Sequence, residues 1–156
     1  MSNRGARSYY LITDTIKDQL IADEFVNSVT LGDISDVDLS KQTIFPLSHI
    51  IVNQATYQGN VWSMNVTVMC MDVVDVSKEQ TTDLFRGNNN EQDILNTQLA
   101  VLNKLLGVLS RGTLYSDNYQ LEGTATCEPF QDSYENMITG WAATFDVLVK
   151  NDIDIC

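Results

Sequence analysis

Hydrophobic and polar positions alternate most regularly near the end of the chain. Trp141, Ala143, Phe145, Val147 and Val149 recur every second residue, with Ala142, Thr144 and Asp146 between them. That period places the first set on one face of a pleated strand and predicts a half-buried antiparallel strand over Gly140 to Lys150. A different period governs two other segments. Between Tyr9 and Ala22, Ile12, Ile16 and Leu20 stand four apart, which predicts a first amphipathic helix. Between Glu91 and Ser110, Leu95, Leu99, Leu102, Leu106 and Leu109 are spaced by fours and threes, and Ile94, Val101, Leu105 and Val108 widen the apolar face. The second segment predicts a longer helix, with Asn90 as N-cap, Asp93 in the first turn and Gly112 as the stop. Two heptads are too few for a coiled coil, so the leucines read as a face packed on a sheet, with Leu99 and Leu102 set against Phe145 and Val147.

The centre of the chain reads as strand. Phe45 to Tyr57 and Val61 to Val76 are rich in Ile, Val, Thr and aromatic residues, and Gln58-Gly59-Asn60 between them suits a tight turn. Pro46 sits near the start of the first strand, where a missing ladder donor is tolerated. Thirteen residues at ~3.3 Å each make an arm of about 40 Å, long enough to project beyond its own core. Its outer part carries Tyr57 and Trp62 among polar residues, so Tyr57, Gln58, Gly59, Asn60 and Trp62 are the candidate contacts with a neighbouring subunit. A short strand within Phe25 to Ile34 and another over Tyr119 to Glu128 complete the order helix, strand, hairpin, helix, strand, strand. Adjacent strands with short connections predict an α+β fold: a mainly antiparallel sheet with a long projecting β-hairpin and flanking α-helices.

Length and charge refine this picture. A chain of 156 residues makes one self-supporting domain, here 9–156, preceded by a polar arm at 1–8 that is flexible in the isolated subunit. Its 21 acidic and 9 basic residues give a net charge of −12. Arg4 and Arg7 are the only charges before Tyr9, so residues 8–156 hold 7 basic and 21 acidic groups, a balance of −14. An acidic body is poor in the Lys and Arg that neutralise phosphates, which argues against specific nucleic-acid binding without excluding DNA in transit past it. Arg4 and Arg7 are candidate arm contacts with an acidic neighbour.

Catalytic and metal chemistry leave little trace. The single histidine, His49, is flanked by Leu47 and Ile50-Ile51 and reads as a hydrogen-bonded strand residue, not a base. Walker, nucleophile-elbow, dinucleotide and HExxH motifs are missing from the sequence. Read as a calcium loop from Asp36, the sequence places Lys41 where Gly is needed and Leu47 where Glu is needed. Asp33, Asp36 and Asp38 therefore read as a solvated loop, and Asp152 and Asp154 as part of a terminal edge strand. Cys70, Cys127 and Cys156 form no C-x-x-C pair, which favours neither a disulfide framework nor zinc; Cys70 and Cys127 read as small buried apolar residues. With no signal-type stretch and no long apolar run, the reading is synthesis in a reducing cytoplasm without membrane insertion. Neither an enzymatic activity nor a cofactor is expected.

The C-terminal thirty residues combine Glu128-Pro129-Phe130, a polar linker, Gly140-Trp141, the alternating strand and a short acidic tail ending in Cys156. This combination, with the hairpin of Phe45 to Val76, resembles the neck and tail-terminator proteins of tailed bacteriophages over roughly half of the chain. The resemblance implies a structural virion protein, assembled in the host bacterial cytoplasm, that forms a homo-oligomeric ring of six- or twelve-fold symmetry. Such a ring terminates the tail or joins it to the connector, contacts portal-side and tail proteins, and passes DNA through its lumen without specific binding. Two other classes stay open: another virion ring or tube component, and a small α+β binding module, or a metal-dependent enzyme, without a readable motif.

Overall fold

The computed structural model describes residues 7–33, 44–73, 91–133 and 138–151. Two helices and five strands follow in the order α1 (Arg7–Ile21), β1 (Ser28–Leu31), β2 (Leu47–Tyr57), β3 (Val61–Val73), α2 (Glu91–Ser110), β4 (Tyr119–Ser133) and β5 (Ile138–Lys150). The strands form one sheet in the order β1-β2-β3-β5-β4. β1 runs parallel to β2, and the other three ladders are antiparallel. The fold is thus α+β with a mixed sheet. β4 lies parallel to β3 across the α2 crossover, and β5 fills the gap between them, so the last described strand lies inside the sheet, second from the β4 edge.

Both helices pack on one face of this sheet. Ile12, Ile16 and Leu20 of α1 meet Met64, Val66, Val68 and Cys70 of β3 and Ala143, Phe145, Val147 and Val149 of β5 in a single buried cluster. The two-residue period of β5 is realised as expected: Phe145 and Val147 are buried, while Thr144 and Asp146 are exposed. Trp141 anchors the helix layer as well, its indole N–H donating to the Leu95 carbonyl of α2 at 2.7 Å. Gly140, just before it, is required by close packing, because a Cβ there would collide with the Cys70 carbonyl on β3.

The apolar face of α2 is rotated from the leucine row of the sequence. Ile94, Gln98, Val101, Leu102, Leu105 and Leu109 are the buried positions, and Leu99 is 39% exposed. A row of leucines and a wider apolar arc fit the same helix, and only the sheet beneath chooses between them. Leu99 therefore does not pack on Phe145 and Val147, whereas Leu102 joins their cluster. Gly112 follows the end of α2, as expected of a stop. Its φ is not among the positive values of this chain, and it is small because the Tyr119 ring and backbone leave no room for a Cβ.

The chain enters and leaves α1 in an ordered way. Ser8, placed in the flexible arm by the sequence, is buried in the first turn of α1 and donates its hydroxyl hydrogen to the Lys150 carbonyl at 2.8 Å. Helix α1 thus begins at Arg7, inside the span read as an arm. After α1, the buried Asp23 carboxylate accepts the Phe25 amide at 2.9 Å, closing a turn. Lys104 of α2 approaches the same carboxylate at 3.7 Å. The Pro46 carbonyl then accepts the Asn27 and Ser28 amides, which brings β1 beside β2.

The hairpin of β2 and β3 forms with a bulge at Asn53, between Val52 and Gln54. Gly59 turns it with a φ of 80°, the left-handed region that glycine enters without strain. The hairpin is not a free-standing arm. β3 pairs with β5 along its whole length, from Val61 opposite Lys150 to Val73 opposite Ile138. Strand length alone suggested projection, but the same residues supply the centre of the sheet.

The contrast within α2 gives a stability test. Leu102→Ala is expected to cost about 2–5 kcal/mol, as large-to-small changes at fully buried sites do. Leu99→Ala is expected to cost less than about 0.5 kcal/mol. Urea unfolding of both variants measures the difference.

Candidate functional site

The expected contact residues divide at the hairpin tip. Gln58, Gly59 and Asn60 are exposed, and Tyr57 is 61% exposed. Trp62 instead turns inward and packs against the main core. The two rings meet edge to face, with centroids 5.2 Å apart, so Tyr57 covers Trp62 from the solvent side. The tip is tied to the end of β5: the Asn60 carbonyl accepts the Asn151 amide at 2.9 Å, and the Gly59 carbonyl accepts the Asn151 side-chain amide at 3.0 Å. Of the arm candidates, Arg7 belongs to α1, and Arg4 lies outside the described residues.

A larger feature lies on the sheet face opposite the helices. One end of that face is closed by a second apolar cluster of Phe45, Leu47, Met71 and Ile138. Towards the hairpin tip the face is polar and exposed. Asn53 donates to Asn65 Oδ1 at 2.9 Å and to Thr67 Oγ1 at 2.8 Å. Asn65 passes the chain on to Asp146 Oδ1 at 2.9 Å, and Thr67 meets Thr144 at 3.1 Å. Ser63 donates to Glu122 Oε2 at 3.4 Å. Cross-strand pairs of this kind contribute to sheet stability and hold short side chains in fixed positions. The strip therefore crosses β2, β3, β5 and β4, with a connected network over the first three and a separate Ser63–Glu122 bond reaching β4.

Its charge is one-sided. Glu122, Glu128 and Asp146 are exposed on the strands, and Lys150 is the single Lys or Arg in all five strand sequences. The alternation of Ser63, Asn65 and Thr67 in β3 with Thr144 and Asp146 in β5 carries the signal for this strip. Its assembly needs the β3-β5 register, which pairs Asn65 with Asp146 and Thr67 with Thr144 across more than seventy residues of chain.

Two grooves flank the helices. One, of about 380 Å³, runs between α2 and β4 and is lined by Leu99, Ala100, Asn103, Leu106 and Cys127 among others. The second, of about 320 Å³, runs between α1 and β1 and is lined by Tyr9, Tyr10, Lys17, Val29 and Leu31 among others.

The residues with chemical potential are inward-facing. Burial pushes the Cys70 thiol up to about 12, which removes thiolate reactivity near neutral pH. Burial also raises the Cys127 thiol. His49 is fully buried, with one ring nitrogen 2.6 Å from Thr30 Oγ1 and the other 2.7 Å from the Gly32 carbonyl. Both ring nitrogens are thus hydrogen-bonded. Among the described residues no group of three or more His, Cys, Asp or Glu side chains is arranged to hold a metal ion. Asp36, Asp38, Asp152, Asp154 and Cys156 lie outside the described residues. No helix of the described residues is long and apolar enough to cross a membrane.

No protein-family model and no curated protein matches the chain.

The two tip aromatics differ in what they support. Trp62→Ser is expected to lower the thermal midpoint by several degrees through lost core packing. Tyr57→Ser removes a cover from an exposed edge and is expected to shift it by no more than a degree or two. Differential scanning calorimetry of the two single variants separates the roles.

Proposed function

We propose that the protein is a structural subunit of a tailed-bacteriophage virion, forming a homo-oligomeric ring at the neck or head-proximal end of the tail, where it terminates the tail or joins it to the connector. The observation that carries this reading is the uncovered polar strip of the sheet. A broad strand surface of hydrogen-bonded Asn, Thr and Ser with Glu122 and Asp146 is well suited to border a passage for DNA. Its side chains are already partnered, so they offer few free donors to phosphate oxygens, and its carboxylates repel them. At physiological salt the Debye length is about 8 Å, so this repulsion acts close to the wall without excluding the duplex from the lumen. A basic wall would retain DNA that has to leave. The α+β architecture and the Gly140-Trp141 strand support this reading; the β2-β3 hairpin, paired with β5 along its length, supplies no projecting arm to it. Portal-side and tail proteins are then the neighbours of the ring, and the exposed tip from Tyr57 to Asn60, with Arg4 and Arg7, supplies candidate contacts.

A second reading, a small α+β binding module, is favoured by the two apolar grooves beside α1 and α2. Oligomeric state separates the two. Native mass measurement and particle class averages of the purified chain are expected to show closed rings. A monodisperse monomer at high protein concentration would remove the ring reading and leave the binding module. The DNA side is checked by gel shift at low salt, where duplex DNA is expected to stay unshifted. A micromolar, salt-sensitive shift would return nucleic-acid binding to the front.

A further inference from the structure

β1 is the weakest-held strand of the sheet. It has four register pairs, all with β2, from Ser28 opposite Leu47 to Leu31 opposite Ile50. Its start is secured where the Pro46 carbonyl accepts the Asn27 and Ser28 amides. Its far end depends on His49. The Gly32 carbonyl is an acceptor only, so Nε2 of His49 carries the hydrogen directed at it, and Nδ1 of the neutral ring accepts the Thr30 hydroxyl. Gly32 reaches this position with a φ of 113°, and its own amide donates to the Ile50 carbonyl at 3.0 Å. One buried imidazole on β2 thus holds the far end of β1 at two points.

We propose that His49 is an acid-sensitive latch: its protonation releases the Thr30–Gly32 end of β1 and uncovers the outer edge of β2 at Ser48–Ile50. Neutral His49 satisfies both partners without a charge. The protonated ring would bring a charge into a site with no exposure to solvent, and that charge is relieved most directly by detaching the short edge strand that seals it. The Gly32 carbonyl's hydrogen bond favours the protonated ring, but by less than burial disfavours it. Leu47 and Ile51 on β2 and Met69, the β3 register partner, are uncharged, as are Thr30 and Gly32. Asp33, just beyond the turn, is the charged group acting on the ring among the described residues, and it favours protonation less than burial disfavours it. Burial holds the imidazole below its ordinary 6.5, so a detached ring binds a proton at a higher pH than the latched one. The latch is therefore fully closed above about pH 6.5 and weakens as pH falls through and below that value. Release leaves the Ile50 carbonyl and its neighbours as an open strand edge, a surface that accepts an added strand.

Residue-resolved hydrogen exchange on the full chain tests the latch. Between about pH 7.5 and pH 5, after correction for intrinsic rates, Gly32 amide protection is expected to fall at least about tenfold. The amides of Val66 and Val147 at the sheet centre should keep theirs. The ring signals of His49 should titrate with a midpoint below 6.5, and His49→Gln should make Gly32 protection independent of pH. Unchanged protection down to pH 5, loss across the whole sheet at once, or a pH-dependent loss that persists in His49→Gln would overturn the proposal. Should His49→Gln fail to fold, Thr30→Val keeps the ring and removes one partner. It should lower Gly32 protection already at pH 7.5, and no change there would also overturn the latch.

Discussion

The rest of the molecule depends on β5 being paired on both sides. Its odd-numbered face, Ala143 to Val149, lies under the helices, and its backbone bonds β3 on one side and β4 on the other. A strand in that position buries its ladder groups and its apolar side chains together, so each stabilises the other. Without β5, β3 and β4 would be separated edges, and α2 would have no continuous surface to cover. Gly140 allows β5 to approach β3 closely at its start, and Trp141 carries the same strand's hold up to the α2 backbone.

A sheet covered on one face must manage the other. Here that face is handled in two ways along its length. At the end near Leu47 and Ile138 it closes over a small apolar cluster, while towards the hairpin tip Asn53, Asn65, Thr67, Thr144 and Asp146 bond one another across the strands. A satisfied polar network of this kind keeps the surface flat and wet without offering an apolar patch for aggregation. The edges are guarded differently. β4 is interrupted between Glu122 and Thr126 and contains Pro129, both features that discourage strand addition. β1 is short and held at its far end by a buried histidine.

Much of the fold was legible in the residues. The β5 alternation, the i, i+4 spacing of Ile12, Ile16 and Leu20, the limits of α2 and the Gln58-Gly59-Asn60 turn all came from local periodicity and turn chemistry, which act within a few residues. The departures share a cause. Leu99 looked equivalent to Leu102, and the hairpin looked free to project, because a periodic pattern states that a face is apolar without stating what lies beside it. Ser8 read as part of a polar arm, since nothing near it in sequence reveals that the Lys150 carbonyl awaits its hydroxyl.

The sequence by itself determined the element types, the α+β class, the acidic character of the body and the inward role of Cys70, since these follow from composition and from periods of two and 3.6 residues. Tertiary structure alone decided that the last described strand lies inside the sheet, that β1 runs parallel to β2, and that Asn65 finds Asp146 while His49 finds Thr30 and Gly32. Each of those pairings joins residues distant in the chain through a strand register. Register is set by the simultaneous burial of several faces, and no single segment contains that information.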